Sequence, residues 1–254
     1  MKISIVTPSL NQGPYIERTI LSVLGQRGDF DLEFIVMDGG STDGTLDIVK
    51  KYESDLTLVT GKDSGQSDAI NKGFAMASGD IFAWLNSDDT YESGALSLVA
   101  ENYKNTPFQW CFGNCRNIDS RDNEIRTFIT RYKIFESKRY SYKRLLSKDF
   151  IPQPATFFTR DAFKETGPID VHLHFAMDYD YWLRLGKKYN PLYINRFLSR
   201  FRWHDESKNG AQYRNAAREA YRTARKHAPT GYRYPIFRHY LHYISLVLLY
   251  RIIE

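Results

Sequence analysis

The stretch Asp80-Ile-Phe-Ala-Trp-Leu-Asn-Ser-Asp-Asp89 decides the fold. Its apolar run, Ile81 to Leu85, has the length of a buried strand, and it stops abruptly at Asn86, Ser87, Asp88 and Asp89. In an open α/β sheet the carboxyl ends of the strands face the ligand crevice. Neighbouring carboxylates at such an end suit a divalent cation that carries phosphates. A second reading stays open here, in which Asp88 or Asp89 caps a helix beginning near Glu92. One cap, however, needs only one aspartate.

The residues before this strand repeat its pattern. Residues 2–6 form a strand rich in Ile and Val that breaks at Thr7, Pro8, Ser9 and Asn11. A helix follows, with Pro14 suited to its first turn and Ile16, Ile20, Val23 and Leu24 at helical spacing. Residues 33–37 form a second strand ending at Asp38, after which Gly39 to Gly44 opens a helix carrying Leu46, Ile48 and Val49. Leu56 to Val59 is a third strand, and Asp63 and Gly65 lead into a helix over Ser67 to Ala77, stopped by Gly79. Strands alternating with helices predict a mostly parallel sheet with right-handed crossovers, its strands all ending in polar residues on one edge.

After residue 107 the pattern loosens. Strand-like pieces fall at 109–113 and 125–131, and a basic, Tyr-rich stretch from Arg131 to Lys148 shows no regular period. Gln153 to Phe158 reads as a short strand, followed by a helix from Arg160 to the Gly167-Pro168 stop. Asp178 and Asp180 open a further helix with Trp182, Leu183 and Leu185. Strands near 192–197 and 199–203 precede His204, and Ala211 to His227 reads as a charged amphipathic helix. No low-complexity linker divides the chain.

Composition sets the outer bounds. The 254 residues are 42% hydrophobic and 26% charged, enough for a large core. A net charge of +5 with pI near 9.0 is a modest excess, and no sharp basic stripe precedes the C-terminal third, which argues against nucleic acid as a partner. Cys111 and Cys115 lack the second pair that a zinc site needs and read as thiols of a reducing compartment. The opening MKISIV goes straight into a strand with no signal-like apolar run, so the expected location is the cytoplasm.

The ordered set Thr7-Pro8-Ser9-x-Asn11, Asp38-Gly-Gly-Ser-Thr-Asp43-Gly44-Thr45, Asp63-x-Gly65-x-x-Asp68-Ala69-x-Asn71-x-Gly73 and Leu85-Asn86-Ser87-Asp88-Asp89 resembles family 2 glycosyltransferases of the GT-A fold. The resemblance is close over the first half and returns at residues 152–208. It implies an α/β nucleotide-diphospho-sugar transferase fold with a mostly parallel central sheet flanked by helices. The transferase domain spans 1–208, divided into a nucleotide-binding half, 1–106, and an acceptor half, 107–208, with a helical extension over 209–254. The implied reaction moves a sugar, with inversion, from a nucleotide-sugar donor to an acceptor hydroxyl with Mn2+ or Mg2+. UDP is the nucleotide that the family favours. A saccharide or lipid-linked saccharide acceptor, as in O-antigen or capsule assembly, is the implied setting.

Residue by residue, Thr7, Pro8, Ser9 and Asn11 lie on the loop after the first strand, where backbone groups can receive a nucleobase. Turn chemistry explains Ser9, Asn11 and Ser41 about as well. Asp38 stands beside bare glycine backbone and can accept from a base or ribose, and Asp63 is a further contact of that kind. Asp68 and Asn71 share a helix face, although many family members carry Arg near the position of Asp68. In the metal motif Asn86 occupies the place of a frequent first acid. Asp89 is the expected direct ligand, with Asp88 on ribose or metal-bound water. Inversion in one displacement needs a base on the acceptor hydroxyl. Asp178 matches the family's base position, Asp180 is the second candidate, and a helix cap is the plain alternative for either. Gln153 and Pro154 match the acceptor-side loop. Trp182 stacks on a sugar or belongs to the core. His204, with Ser207 and Lys208, matches an element that closes over the diphosphate and is a further candidate metal ligand.

The tail from Tyr234 to Ile253 mixes aromatic and aliphatic residues with Arg238, His239, His242 and Arg251, and its charge-free part is shorter than the roughly 20 residues needed to span a bilayer. An interfacial helix on a membrane surface and a helix docked on its own domain or on a second subunit both fit. Two other functions compete with transfer. A nucleotidyltransferase normally shows a Gly-rich basic loop after the first strand, and Thr7 to Tyr15 has one Gly and neither Lys nor Arg. A sugar- or nucleotide-binding protein without catalysis has no use for Asp88, Asp89 and Asp178 together.

Overall fold

The computed structural model describes residues 1–204 and 213–253. Four strands, β1 (Lys2–Ser9), β2 (Asp31–Asp38), β3 (Thr57–Thr60) and β4 (Ile81–Trp84), run parallel in the order β3-β2-β1-β4. Helices α1 (Ile16–Leu24), α2 (Thr45–Lys50) and α3 (Gln66–Met76) connect them. Because both sheet faces are covered, β1 is buried almost throughout and its alternate side chains serve two cores. Ile3 and Ile5 pack with Ile16, Ile20 and Phe34, whereas Val6 packs with Ile70, Phe74 and Trp84. Gly73 lets α3 lie tight on β1, since a Cβ there would sit 2.4 Å from Val6 Cγ1.

The second half contributes β5 (Thr90–Tyr91), α4 (Ala95–Asn105), β6 (Trp110–Ile118), β7 (Glu124–Ile125), α5 (Thr127–Ser137), α6 (Tyr142–Ser147), β8 (Thr156–Thr159), α7 (Arg160–Thr166), α8 (Met177–Lys188) and β9 (Leu192–Arg202). The sheet continues from β4 through β8, β6 and β9 to β5. Here the strands are mixed: β8 opposes both β4 and β6, β5 opposes β9, and β6 and β9 are parallel. The parallel expectation holds for the βα repeats and gives way where connections no longer have that form. Residues 125–131, expected as a strand, are the end of β7 and the start of α5, and the aperiodic stretch 131–148 is largely helical. The misleading apolar residue Phe128 is 71% exposed on that helix. Strands expected at 192–197 and 199–203 are one, β9.

Helices α9 (Tyr213–His227) and α10 (Arg233–Ile253) dock on α6 and α8. His227 Nε2 lies 2.6 Å from Asp180 Oδ1, and buried His239 lies between Leu146 O and the Tyr179 hydroxyl, which donates to Leu145 O. The first turns of the tail are therefore part of this domain. The same helix leaves Tyr234, Phe237, Tyr240 and Leu241 exposed, and no described helix is long and apolar enough to cross a membrane. Deleting residues 232–254 removes the buried His239 contacts and is expected to lower Tm by about 5 °C or more in a thermal melt. An unchanged Tm would show that the docking contributes little.

Candidate active site

The chain leaves β4 at Trp84 and crosses through Asn86 to Asp89 before entering β5, beside β9. This crossing separates the two aspartates. Asp89 is 0% exposed, and its carboxylate accepts from the Arg202 backbone N–H at 2.9 Å and from Asn86 Nδ2 at 3.3 Å. Burial, with the Asp88 charge adding, pushes its pKa well above the usual carboxylate range. Asp88 instead lines the cleft, its Oδ2 3.0 Å from His204 Nε2. Buried Arg202 holds this turn, donating from Nε to Asp88 O and from Nη1 to Asp119 O. The Tyr15 ring lies 4.7 Å from the His204 ring and steadies it. Asp89, the expected direct metal ligand, is thus enclosed, whereas Asp88 and His204 line the cleft. Ser207 and Lys208 lie outside the described residues.

The cleft, about 390 Å3, is also lined by Pro8, Ser9, Asp63 and Gln153. Ser9 Oγ is buried there with no hydrogen-bond partner among the described residues, as is Gln12 Oε1, a cleft residue that turn-like sequence context concealed. Asp63 Oδ1 accepts from Gly65 N, and a Cβ at Gly39 would lie 2.7 Å from Asp63 Oδ2, so the bare backbone makes room for this acid. Asn86 Nδ2 donates to Gln153 Oε1, Gln66 Nε2 donates to Asn86 Oδ1, and Gln153 Nε2 donates to Trp84 O. This amide chain fixes the carboxyl end of β4.

Other residues expected at the nucleotide make contacts within the fold. Asp38 accepts from Gly40 N, Ser41 N and Ser41 Oγ, although it borders a small side cavity with Asp63. Asn11, at φ 52°, accepts from Thr42 N and donates its own N–H to Ser41 Oγ, joining the first two loops. Thr7 is enclosed in β1. Asp68 pairs with Lys72, and Asn71 clasps both backbone groups of Ile169.

A second cavity of about 400 Å3 adjoins the cleft, and Gln153, Phe175, Asp178 and Phe201 line both. Asp178 stands at this junction on the first turn of α8. Four residues on, Trp182 is 0% exposed and stacked between Trp84 and Trp110 at 5.3 and 6.1 Å, so it anchors the helix and is withdrawn from any acceptor. Asp180 is likewise closed off, accepting from Arg184 Nε at 2.8 Å and facing His227. Burial opposes its ionisation, but the His227 hydrogen bond and the Arg184 charge outweigh it and hold its pKa low. Asp178 shifts the other way: burial raises its pKa, with the Tyr179 N–H and Lys133 opposing. A partly buried acid of raised pKa at the meeting of two cavities has the properties of a general base.

The profile of the Glycosyl transferase family 2 matches residues 4–167. The chain belongs to this family and is a glycosyltransferase of GT-A fold. A PGL/p-HBAD biosynthesis glycosyltransferase of Mycobacterium bovis (strain BCG / Pasteur 1173P2) is 30% identical over 202 residues, which are 77% of this chain and 73% of the relative. Among solved structures, S. aureus TarS 1-349 in complex with UDP-GlcNAc superimposes with a TM-score of 0.71 at 18% identity, over 89% of this chain and 66% of that one. The mannosyltransferase PcManGT from Pyrobaculum calidifontis, in complex with GDP-Man and Mn2+, gives 0.68 at 18% identity, over 96% and 68%.

Proposed function

We propose that the protein is an inverting glycosyltransferase that takes a sugar from a nucleoside-diphosphate donor, UDP-linked, and places it on a hydroxyl of a saccharide or lipid-linked saccharide with the help of Mn2+ or Mg2+. The observation that carries this reading is the position of Asp178 on the shared wall of two cavities, one of which holds Asp88 and His204. The donor lies in the cleft and the acceptor in the adjoining cavity. The acceptor oxygen attacks the anomeric carbon as its proton passes to an Asp178 carboxylate oxygen, and the bond to the diphosphate breaks on the opposite face.

Asp88 and His204, whose carboxylate and imidazole converge at 3.0 Å, would hold a hard or borderline cation beside the donor diphosphate. Bound there, such a cation supplies positive charge against the departing diphosphate. Arg202, by holding the Asp88 carbonyl, keeps the carboxylate oriented before any ligand arrives. The exposed Tyr234, Phe237, Tyr240 and Leu241 beside Arg233 and Arg238 support a peripheral contact with a membrane surface in the assembly of a surface polysaccharide.

Calorimetric titration with UDP, GDP, CMP and dTDP, each with and without Mn2+, tests the donor half of this reading. One nucleoside diphosphate is expected to bind, at least about 10-fold more weakly without the metal. A folded sample that binds none of them would overturn it.

A further inference from the structure

The acceptor-side cavity carries more charge than a single base requires. Lys133 of α5 and Asp149, just after α6, line it together with Asp178. Neither Lys133 nor Asp149 makes an ion pair or a side-chain to side-chain hydrogen bond among the described residues, and Asp149 is met only by the Ile151 backbone N–H. Elsewhere in the same region charges do pair: Glu136, on α5, takes Arg144 Nη2 at 3.0 Å and Lys148 Nζ at 3.3 Å. Glu219 of α9 is occupied by the N–H groups of His174 and Phe175. Asp149 is itself solvent-accessible, yet the protein packed around it, with the Asp178 charge adding and Lys133 opposing, pushes it up to about 7. Phe201 and Trp203 supply aromatic wall, with the Arg126 guanidinium 3.6 Å over the Trp203 ring.

Taking Asp178 as the base, we propose that Asp149 and Lys133 are acceptor-specificity residues that bind a second hydroxyl of the ring presenting its nucleophile to Asp178, so that the acceptor terminus is a sugar ring. A hydroxyl both donates and accepts, so a diol satisfies a carboxyl group and an ammonium together. A phenol or simple alcohol reaches Asp178 equally well but displaces water from the other two groups without replacing its hydrogen bonds, which is costly. A cavity of about 400 Å3 admits a pyranose, and the aromatic wall suits its apolar face.

The test uses the full chain and ligand-observed NMR with the methyl glycosides of mannose, glucose, galactose and rhamnose, their monodeoxy forms, phenol and hexanol, each with and without UDP and Mn2+. At least one methyl pyranoside is expected to bind in preference to phenol and hexanol. Removal of one hydroxyl should weaken it about 10- to 100-fold. Asp149→Asn and Lys133→Met should each weaken the intact glycoside and erase most of that discrimination, while Tm and UDP affinity, which depends on the other cavity, stay as in the parent. The proposal fails if no pyranoside binds, if phenol or hexanol binds as well, if every deoxy form binds equally, or if both variants bind the glycoside normally. Because glycosides are also titrated alone, loss of nucleotide binding would strike the donor assignment separately.

Discussion

Asp178→Asn is expected to lower sugar transfer by about 100- to 10,000-fold, the usual contribution of a positioned base, while nucleotide affinity changes by less than about threefold. Asparagine preserves the side chain's shape and can still accept from the Tyr179 N–H, as Asp178 Oδ1 does at 2.7 Å. What it cannot do is take the acceptor proton. The pH profile gives a second reading of the same role. The base works only when ionised, and burial raises the Asp178 pKa, so transfer should rise with pH along an acid limb displaced upward from the ordinary carboxylate range. That limb belongs to Asp178 and Asp149 jointly, since each carboxylate disfavours ionisation of the other. In Asp149→Asn one negative neighbour is gone, ionisation of Asp178 becomes easier, and the limb should move to lower pH. Steady-state kinetics across pH 4 to 9 checks both statements. A matched loss of transfer and nucleotide binding in Asp178→Asn would show that the residue serves the fold or the donor.

The two aspartates after β4 are expected to fail in different ways. Asp88→Ala removes the cleft carboxylate beside His204 and should weaken Mn2+-dependent UDP binding by about 100-fold, with little change in Tm. Asp89→Ala instead strands the Arg202 N–H in a closed interior and takes away one of the two acceptors of Asn86 Nδ2, at a cost of about 1–3 kcal/mol. In a protein of this size that cost corresponds to a fall in Tm of about 2–12 °C. The pH dependence has a definite sign. Since the folded state raises the Asp89 pKa, it binds that proton more tightly than the unfolded chain, and this contribution is lost as pH rises from the normal carboxylate range through the folded value. Asp89→Asn cannot ionise and keeps an acceptor for Arg202, so it should escape that loss and resist alkaline destabilisation better than the parent. Metal titration and thermal melts on the same variants separate the roles; equal effects of Asp88→Ala and Asp89→Ala on both measurements would sink the distinction.

Local pattern was enough to determine the alternation of strand and helix up to Trp84, the gathering of polar strand ends on one edge, and the family to which the chain belongs. These follow from periodicity and from short motifs whose backbone geometry is encoded nearby, as where Asp38 caps its own turn. Which acid faces the ligand was beyond that reach. Asp88 and Asp89 are consecutive in an irregular crossing and turn in different directions, and only β9, arriving with Arg202 and His204, decides that one is buried and the other faces the cleft. Asp178 and Asp180 are both acids of one helical turn, separated in surroundings because His227 comes from a distant helix to meet the second. Lys133 and Asp149 sit in a stretch without periodicity and meet Asp178 only across a cavity. A sequence records which side chains an element carries, but what stands opposite each of them is set by packing between elements far apart in the chain.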